Sequence, residues 1–379
     1  MEEKGRIGIP RALMFYRYFP LWKVFFEELG WRVIVSDGLG KRGNLIYFED
    51  SCLPMKLLIT HSMGLKEKVD HLFVPRLVSL HRHNIMCPKF RGAPDIVRLA
   101  TDGSISILDE TIDNRTKEDS MSRSFLKTGK RLGVNEKEGK RAFQKAEQFF
   151  LNFQKEWEKR INGLPSKDLF QLDLPTPSEK NISPPSVGGD KGEGGYGRLY
   201  SPPPAPRFRV VPTSPIKGGG KDVGKSSMRV AFVGHPYNLY DTDVNKDILS
   251  FARSLGMRII TPEGLSEKEI DAQVSDLSKE IYWSSGREIV GSLFHFLSGR
   301  VDGVVFLTSF KCGIDALLQE FIRRRLKVRG GASIPLLVLT LDEHSGREGL
   351  TTRLEAFKDV MEEMKKAPNP KHQNPNKFQ

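Results

Sequence analysis

Cysteine is scarce in this chain. Three occur among 379 residues, Cys52, Cys87 and Cys312, and an odd count cannot close a disulfide framework. The start, Met1-Glu2-Glu3-Lys4, is charged and carries no apolar export signal. Both features point to a reducing, cytoplasmic setting. Long hydrophobic runs are missing too. The longest, such as Ile334-Pro335-Leu336-Leu337-Val338-Leu339, fall far short of the roughly 20 residues of a membrane helix and read as buried strands. No membrane partner is expected. There is no G-x-x-x-x-G-K-S/T loop, no G-x-G-x-x-G fingerprint and no G-x-S-x-G elbow.

Charge is plentiful and lopsided, with a net +12. The Lys and Arg residues are nevertheless spread along the chain and mixed with acids. No basic repeat with interleaved aromatics and no zinc-finger spacing is present, so nucleic acid is not the expected partner. A phosphate-bearing small molecule or an acidic protein suits diffuse positive charge as well.

The hydrophobic share of 38% and the length are enough for two domains with their own cores. From Pro165 to Met228 the composition changes: Pro and Gly fill 21 of 64 positions, so this stretch cannot bury enough apolar surface to offset the entropy of ordering. It reads as a disordered linker or insertion, residues 165–228. The segments on either side echo each other. Arg6-Ile7-Gly8-Ile9-Pro10 leads through a helical stretch to Leu29-Gly30 and then Trp31-Arg32-Val33-Ile34-Val35. Arg229-Val230-Ala231-Phe232-Val233-Gly234-His235-Pro236 leads through a helical stretch to Leu255-Gly256 and then Met257-Arg258-Ile259-Ile260. Each spells strand, proline-bearing loop, amphipathic helix, glycine stop, strand. Further on, Val69–Val74 and Val301–Phe306 read as matching buried strands.

Strands alternating with helices give parallel βαβ units and doubly wound sheets. The expected fold is therefore α/β, with two small doubly wound parallel-sheet lobes facing each other. The first spans residues 1–164 and the second 229–366, followed by a disordered tail at 367–379. Residues 117–162 read as packing helices that bridge the lobes, with Phe143, Phe150, Phe153 and Trp157 near helical spacing.

Each cysteine lies beside a chain breaker: Cys52-Leu53-Pro54, Cys87-Pro88 and Cys312-Gly313. Thiolates on irregular backbone are what an iron–sulfur cluster uses, and three thiolates would leave one iron of a four-iron cluster open. Cys87 and Cys312 follow corresponding strands of the two lobes, the ligand-facing ends of such sheets. Cys52 precedes a helix whose first turn Pro54 suits, and a helix N-terminus favours a thiolate. Two other readings stay open. The three can be unrelated free thiols, or a Cys₃His zinc site can form with His81 or His83 from Leu80-His81-Arg82-His83. Ala100-Thr101-Asp102-Gly103-Ser104 reads as a turn. Asp342-Glu343-His344, after a strand, reads either as an acid–base group or as a solvated helix-capping loop.

Several segments together carry a resemblance. They are Ile7-Gly8-Ile9-Pro10-Arg11-Ala12-Leu13, Cys52-Leu53-Pro54-Met55-Lys56, Phe310-Lys311-Cys312-Gly313-Ile314-Asp315, and Leu341-Asp342-Glu343-His344-Ser345-Gly346-Arg347-Glu348-Gly349-Leu350. They resemble the acyl-CoA dehydratase activase-related family, itself similar to the D-component of 2-hydroxyglutaryl-CoA dehydratase. The resemblance implies a 4Fe-4S cluster on Cys52, Cys87 and Cys312. It also implies a low-potential electron from an ATP-dependent activator of the sugar-kinase-like ATPase type, an acyl-CoA ligand and a related dehydratase subunit as partner. The chain lacks the ATPase motifs and is not that activator. A dehydratase-like lyase component, a non-catalytic electron-transfer module and a zinc-bearing structural protein are the three functional alternatives.

Limited proteolysis tests the linker reading. The first cuts should fall between Pro165 and Met228, and resistance there would refute it.

Overall fold

The computed structural model of the chain describes residues 3–37, 50–170, 172, 228–275, 277, 279–298, 301–328 and 334–366. The first apolar run forms β1 (Arg6–Ile9), followed by α1 (Phe15–Glu28) and β2 (Arg32–Val35). α1 stops where the sequence said it would: Gly30 takes φ +86°, a left-handed conformation that closes the helix end without a Cβ penalty. Next come α2 (Leu53–Leu65), β3 (His71–Phe73), β4 (Arg76–Ser79), α3 (Pro88–Arg91), α4 (Ala93–Ala100), β5 (Ser106–Leu108) and β6 (Thr111–Asp113). β2, β1, β3 and β5 lie side by side in that order, all parallel. β4 and β6 pair apart from them as a two-stranded parallel ribbon, where the sequence suggested only a loop.

Three helices follow: α5 (Met121–Arg131), α6 (Glu136–Lys155) and α7 (Trp157–Gly163). α5 packs against α6 and β6, and α7 bridges to the second lobe. α6 packs along α1 with Phe143 and Phe153 buried. α7 reaches the other sheet, where Trp157 Nε1 donates to Thr261 Oγ1 at 2.8 Å. The Asn162 side chain donates to the Ile259 carbonyl and accepts from the Ile259 N–H, both at 3.0 Å.

The second lobe runs β7 (Met228–Gly234), α8 (Pro236–Tyr240), α9 (Thr242–Asn245), α10 (Ile248–Ser254), β8 (Met257–Ile260), α11 (Glu267–Val274) and α12 (Ser284–Ser298). It continues with β9 (Gly303–Ser309), α13 (Gly313–Val328), β10 (Leu336–Leu341) and α14 (Arg347–Lys366). Its sheet has the order β8-β7-β9-β10, again parallel throughout. Counted from the second strand of each lobe, the two orders are identical. Both lobes thus have a switch point, at β1/β3 and at β7/β9, the place where open α/β sheets bind ligands as a rule. β9 is buried at every position and β7 at every position but one, as central parallel strands covered on both faces must be.

Two sequence expectations change. The single helix expected between Pro236 and Leu255 is broken into α8, α9 and α10. Asp241 interrupts it because its side chain accepts from the N–H groups of Asp243 and Val244, starting a new helix. The stretch expected to be linker opens with a 3₁₀ turn at Ser166–Asp168, then buries Leu169 and packs the Phe170 ring on Trp157 and Tyr240. Residues 173–227 and the tail at 367–379 lie outside the described residues. Among the described residues no helix is long and apolar enough to cross a membrane.

The contact between α11 and α12 gives a direct test. A Cβ at Gly291 would lie 2.6 Å from Ile270 Cγ2 and 2.9 Å from the Ile270 carbonyl oxygen. Alanine gains about 1 kcal/mol of helix propensity, but prying two helices apart costs about 1–3 kcal/mol. Gly291→Ala should therefore lower the urea midpoint, and an unchanged or raised midpoint would count against this packing.

Candidate metal centre between the lobes

All three cysteines stand at helix starts. Cys52 is the N-cap of α2, with Pro54 in its first turn, and Cys87 is the N-cap of α3. Cys312 precedes α13, and its carbonyl accepts from the Ala316 N–H at 3.1 Å. Cys52 is buried and the other two are half-buried. They converge on one side chain. Burial, then Asp315, then Cys312, Cys52 and Cys87 push the buried Tyr237 hydroxyl well above its ordinary pKa. Thiols from distant parts of the chain thus lie within electrostatic reach of a single hydroxyl.

Cys52, whose thiolate the helix start was expected to favour, behaves otherwise. Burial raises the Cys52 pKa, and the nearby Cys312 adds to the rise. The Lys89 ammonium and the Met55 N–H favour the thiolate but do not prevail. The short dipole of a helix start is outweighed by removal from water. A bound metal would reverse this, since coordination deprotonates a thiol outright.

Beside Cys312 sits a buried pair that sequence reasoning missed. His235 Nε2 lies 2.8 Å from Asp315 Oδ1, an ion contact off the hydrogen-bonding axis that leaves both atoms without an aligned partner. Burial opposes the charge on His235, yet Asp315 and Cys312 raise its pKa to about 10. Asp315 is held from behind, its Oδ2 accepting from the Ser309 N–H at 2.7 Å. The Tyr237 ring stacks on the imidazole at 4.9 Å. Donor atoms of His235, Cys312 and Asp315 lie within 4.8 Å of one another, the one such group found among the described residues. His235 stands just after β7, as Pro10-Arg11 stand just after β1. That repeat was the available signal.

The histidine proposed from sequence as a zinc ligand is engaged elsewhere. His81 Nε2 lies 2.7 Å from Glu288 Oε1 and Nδ1 lies 3.2 Å from Glu267 Oε1 without an aligned hydrogen bond, so both ring nitrogens face carboxylates. His83 is exposed. The Asp342-Glu343-His344 segment divides in two. Asp342 accepts from the His344 N–H and the Ser345 hydroxyl, as a capping loop does. Glu343 meets Lys56 of α2 at 2.5 Å. Ala100–Ser104 is a turn, with Asp102 and Gly103 at positive φ.

A second polar cluster lies at the carboxyl end of β1. Arg11 donates to Tyr16 Oη through Nε at 3.3 Å and Nη2 at 3.1 Å. Leu13 close by is held at φ 53°, strained for a branched side chain. Burial and Arg11 lower the pKa of His61 to about 4, and burial raises that of Asp241 to about 6 despite Arg11. His61 Nε2 and Asp241 Oδ2 have no hydrogen-bond partner among the described residues. A fixed cation, a neutral imidazole and a carboxyl that changes charge near pH 6 can orient a bound molecule and move its proton.

A family model described as the CoA enzyme activase uncharacterised domain (DUF2229) matches residues 6–265. The chain belongs to this family. The matched span includes Cys52, Cys87, Arg11 and His235, and Cys312 lies beyond it. The family expected from the sequence motifs is the one found. No curated protein matches the chain. As a member of the CoA enzyme activase family, the chain takes its coarse functional placement from that match.

The His81 pair has a signed pH dependence. Burial opposes its charge, but Glu267 and Glu288 raise its pKa above the ordinary value. The stabilisation is complete below about pH 6.5 and is lost as pH rises through the raised value. Wild-type protein should thus lose stability from pH 6.5 upward in urea titrations, and His81→Asn should lose distinctly less. Equal slopes would show that the ring is not charged in the fold.

Proposed function

We propose that the chain is an iron–sulfur component of a CoA enzyme activase system, holding a 4Fe-4S cluster on Cys52, Cys87 and Cys312. The observation that carries this reading is three thiols at helix starts, with Cys87 and Cys312 packed against the same core and Cys52 within electrostatic reach of Cys312. The donor set fits. Three soft sulfur ligands suit iron–sulfur chemistry, and a half-buried setting protects it from solvent. A cluster so held supplies one-electron transfer and one iron without a protein thiol.

The chain's own residues do the rest. Lys89 favours the charged form of Cys52. Asp315 keeps His235 protonated beside Cys312, placing a positive charge next to that sulfur. Arg11 and Asp241 at the carboxyl end of β1 are suited to gripping an acyl group and exchanging its proton. The electron donor in this reading is an ATP-dependent activator protein of the sugar-kinase-like type. The substrate class is a 2-hydroxyacyl-CoA, handled alone or with a related dehydratase subunit. A zinc reading has one observation in its favour, the close grouping of His235, Cys312 and Asp315.

Anaerobic purification with metal analysis separates them. About four irons and four sulfides per chain are expected, and Cys312→Ser should lose or alter the cluster's absorption and paramagnetic signals. Zinc without iron, or an unaltered cluster in Cys312→Ser, would overturn the assignment. Electron uptake from the activator without dehydration of 2-hydroxyacyl-CoA would make the chain an electron-transfer module.

A further inference from the structure

Cys87 belongs by sequence to the first lobe, where Met86 N–H beside it donates to the Val78 carbonyl of β4 at 2.8 Å, yet part of its surroundings belongs to the second. It ends the loop that leaves β4. That loop is folded on itself by Ser79, whose hydroxyl sits against the carbonyls of His81 and Asn84. Its outer side is stitched to the segment leading into α12. Ile85 N–H donates to the Tyr282 carbonyl at 3.1 Å, Ser284 N–H donates to the Ile85 carbonyl at 2.9 Å, and the Asn84 amide donates to the Ile281 carbonyl. Cys87 itself packs against the hydrophobic core of the second lobe, the same core that Cys312 packs against. Phe90, three residues on, faces Tyr237.

One buried carboxylate adds to this seam, beside the exposed Glu267 that also faces His81. Glu288 projects from α12 and gives one oxygen to each of two first-lobe residues. Oε2 lies 2.6 Å from Arg17 Nη1 on α1, and Oε1 lies 2.7 Å from His81 Nε2. Its side chain is only 9% exposed. Removing a partner from a buried ion network leaves a charge that nothing balances, so such networks hold their geometry strongly. Cys52 is secured differently. Its helix reaches the second lobe through Lys56 and Glu343, a pair whose carboxylate is 23% exposed and therefore partly hydrated.

We infer that Glu288 is a positioning residue for Cys87. By holding His81 and Arg17 it makes the loop before Cys87 part of the second lobe. Cys87 and Cys312 then keep their spacing when the lobes shift, and Cys52 is the thiol whose distance to the other two changes. The consequence at a metal rests on the iron–sulfur reading; the thiol geometry does not.

The test uses reduced, metal-free full-length protein and a short bifunctional maleimide, with cross-linked pairs mapped by mass spectrometry. Wild type should give the Cys87–Cys312 pair as its main product. In Glu288→Gln, which keeps the side-chain volume, that product should fall about tenfold, with Cys87 alkylated about tenfold faster, as expected for a broken buried ion network. Cys52 alkylation should stay within about twofold, the range of an untouched site. An unchanged Cys87 in folded Glu288→Gln overturns the inference. So does an equal change at all three thiols, which would mark a general loosening. Should Glu288→Gln fail to fold, His81→Asn removes one arm of the same network and is read by the same criteria. Reconstituted samples add a separate readout, an altered paramagnetic signal in Glu288→Gln at unchanged iron content. Wild type that takes up no iron and sulfide fails the cluster reading, while the cross-links still decide the positioning role.

Discussion

Charges buried at the boundary between the lobes must be neutralised there, and the contact between the lobes follows from how this is done. Glu288 is the pivot. Burial would lift its pKa, but Arg17, His81 and Arg287 outweigh that and hold it at about 2. Arg17 is itself raised above its ordinary range by the same contact. Each partner is charged because the other is, so the boundary is most stable as a complete set. The three cysteines come from both sides of this boundary.

The two lobes repeat a strand order but not a chemistry. After β1 the crevice receives a guanidinium, Arg11, with Tyr16, His61 and Asp241 around it. After β7 it receives His235, charged by Asp315 and backed by Tyr237. The two switch points have thus been given different work. One side has a carboxyl and an imidazole able to exchange protons. The other has Cys312 beside a histidine whose charge Asp315 favours.

Much of this was legible in the chain. Apolar runs flanked by Pro and Gly placed β1, β2, β3, β7, β8, β9 and β10, since buried parallel strands have a plain sequence signature. The glycine stops at Gly30 and Gly256 were read correctly, both lying at positive φ. Cys52 was read at a helix start and stands there, while Cys87 and Cys312, read only as following strands, also begin helices. The failures have physical causes. β4 and β6 are too short to show a period. Asp241 breaks a helix by a side-chain bond that no hydrophobic pattern encodes. The acidity of Cys52 was misjudged because burial is a property of the fold. His81 looked like a ligand for its nearness to Cys87 in sequence, while its true partners stand on α11 and α12.

Asn162 shows how the same frame guards itself. β8 lies at the border of its sheet, and a border strand offers unpaired N–H and C=O groups to any passing extended chain. The amide of Asn162 occupies both groups of Ile259, so a single side chain imitates the missing neighbour strand. A helix whose visible task is to tie two lobes together therefore also denies the second sheet a template for self-association. Loosening α7 would release the lobes and uncover a sticky border in one event, coupling domain motion to solubility.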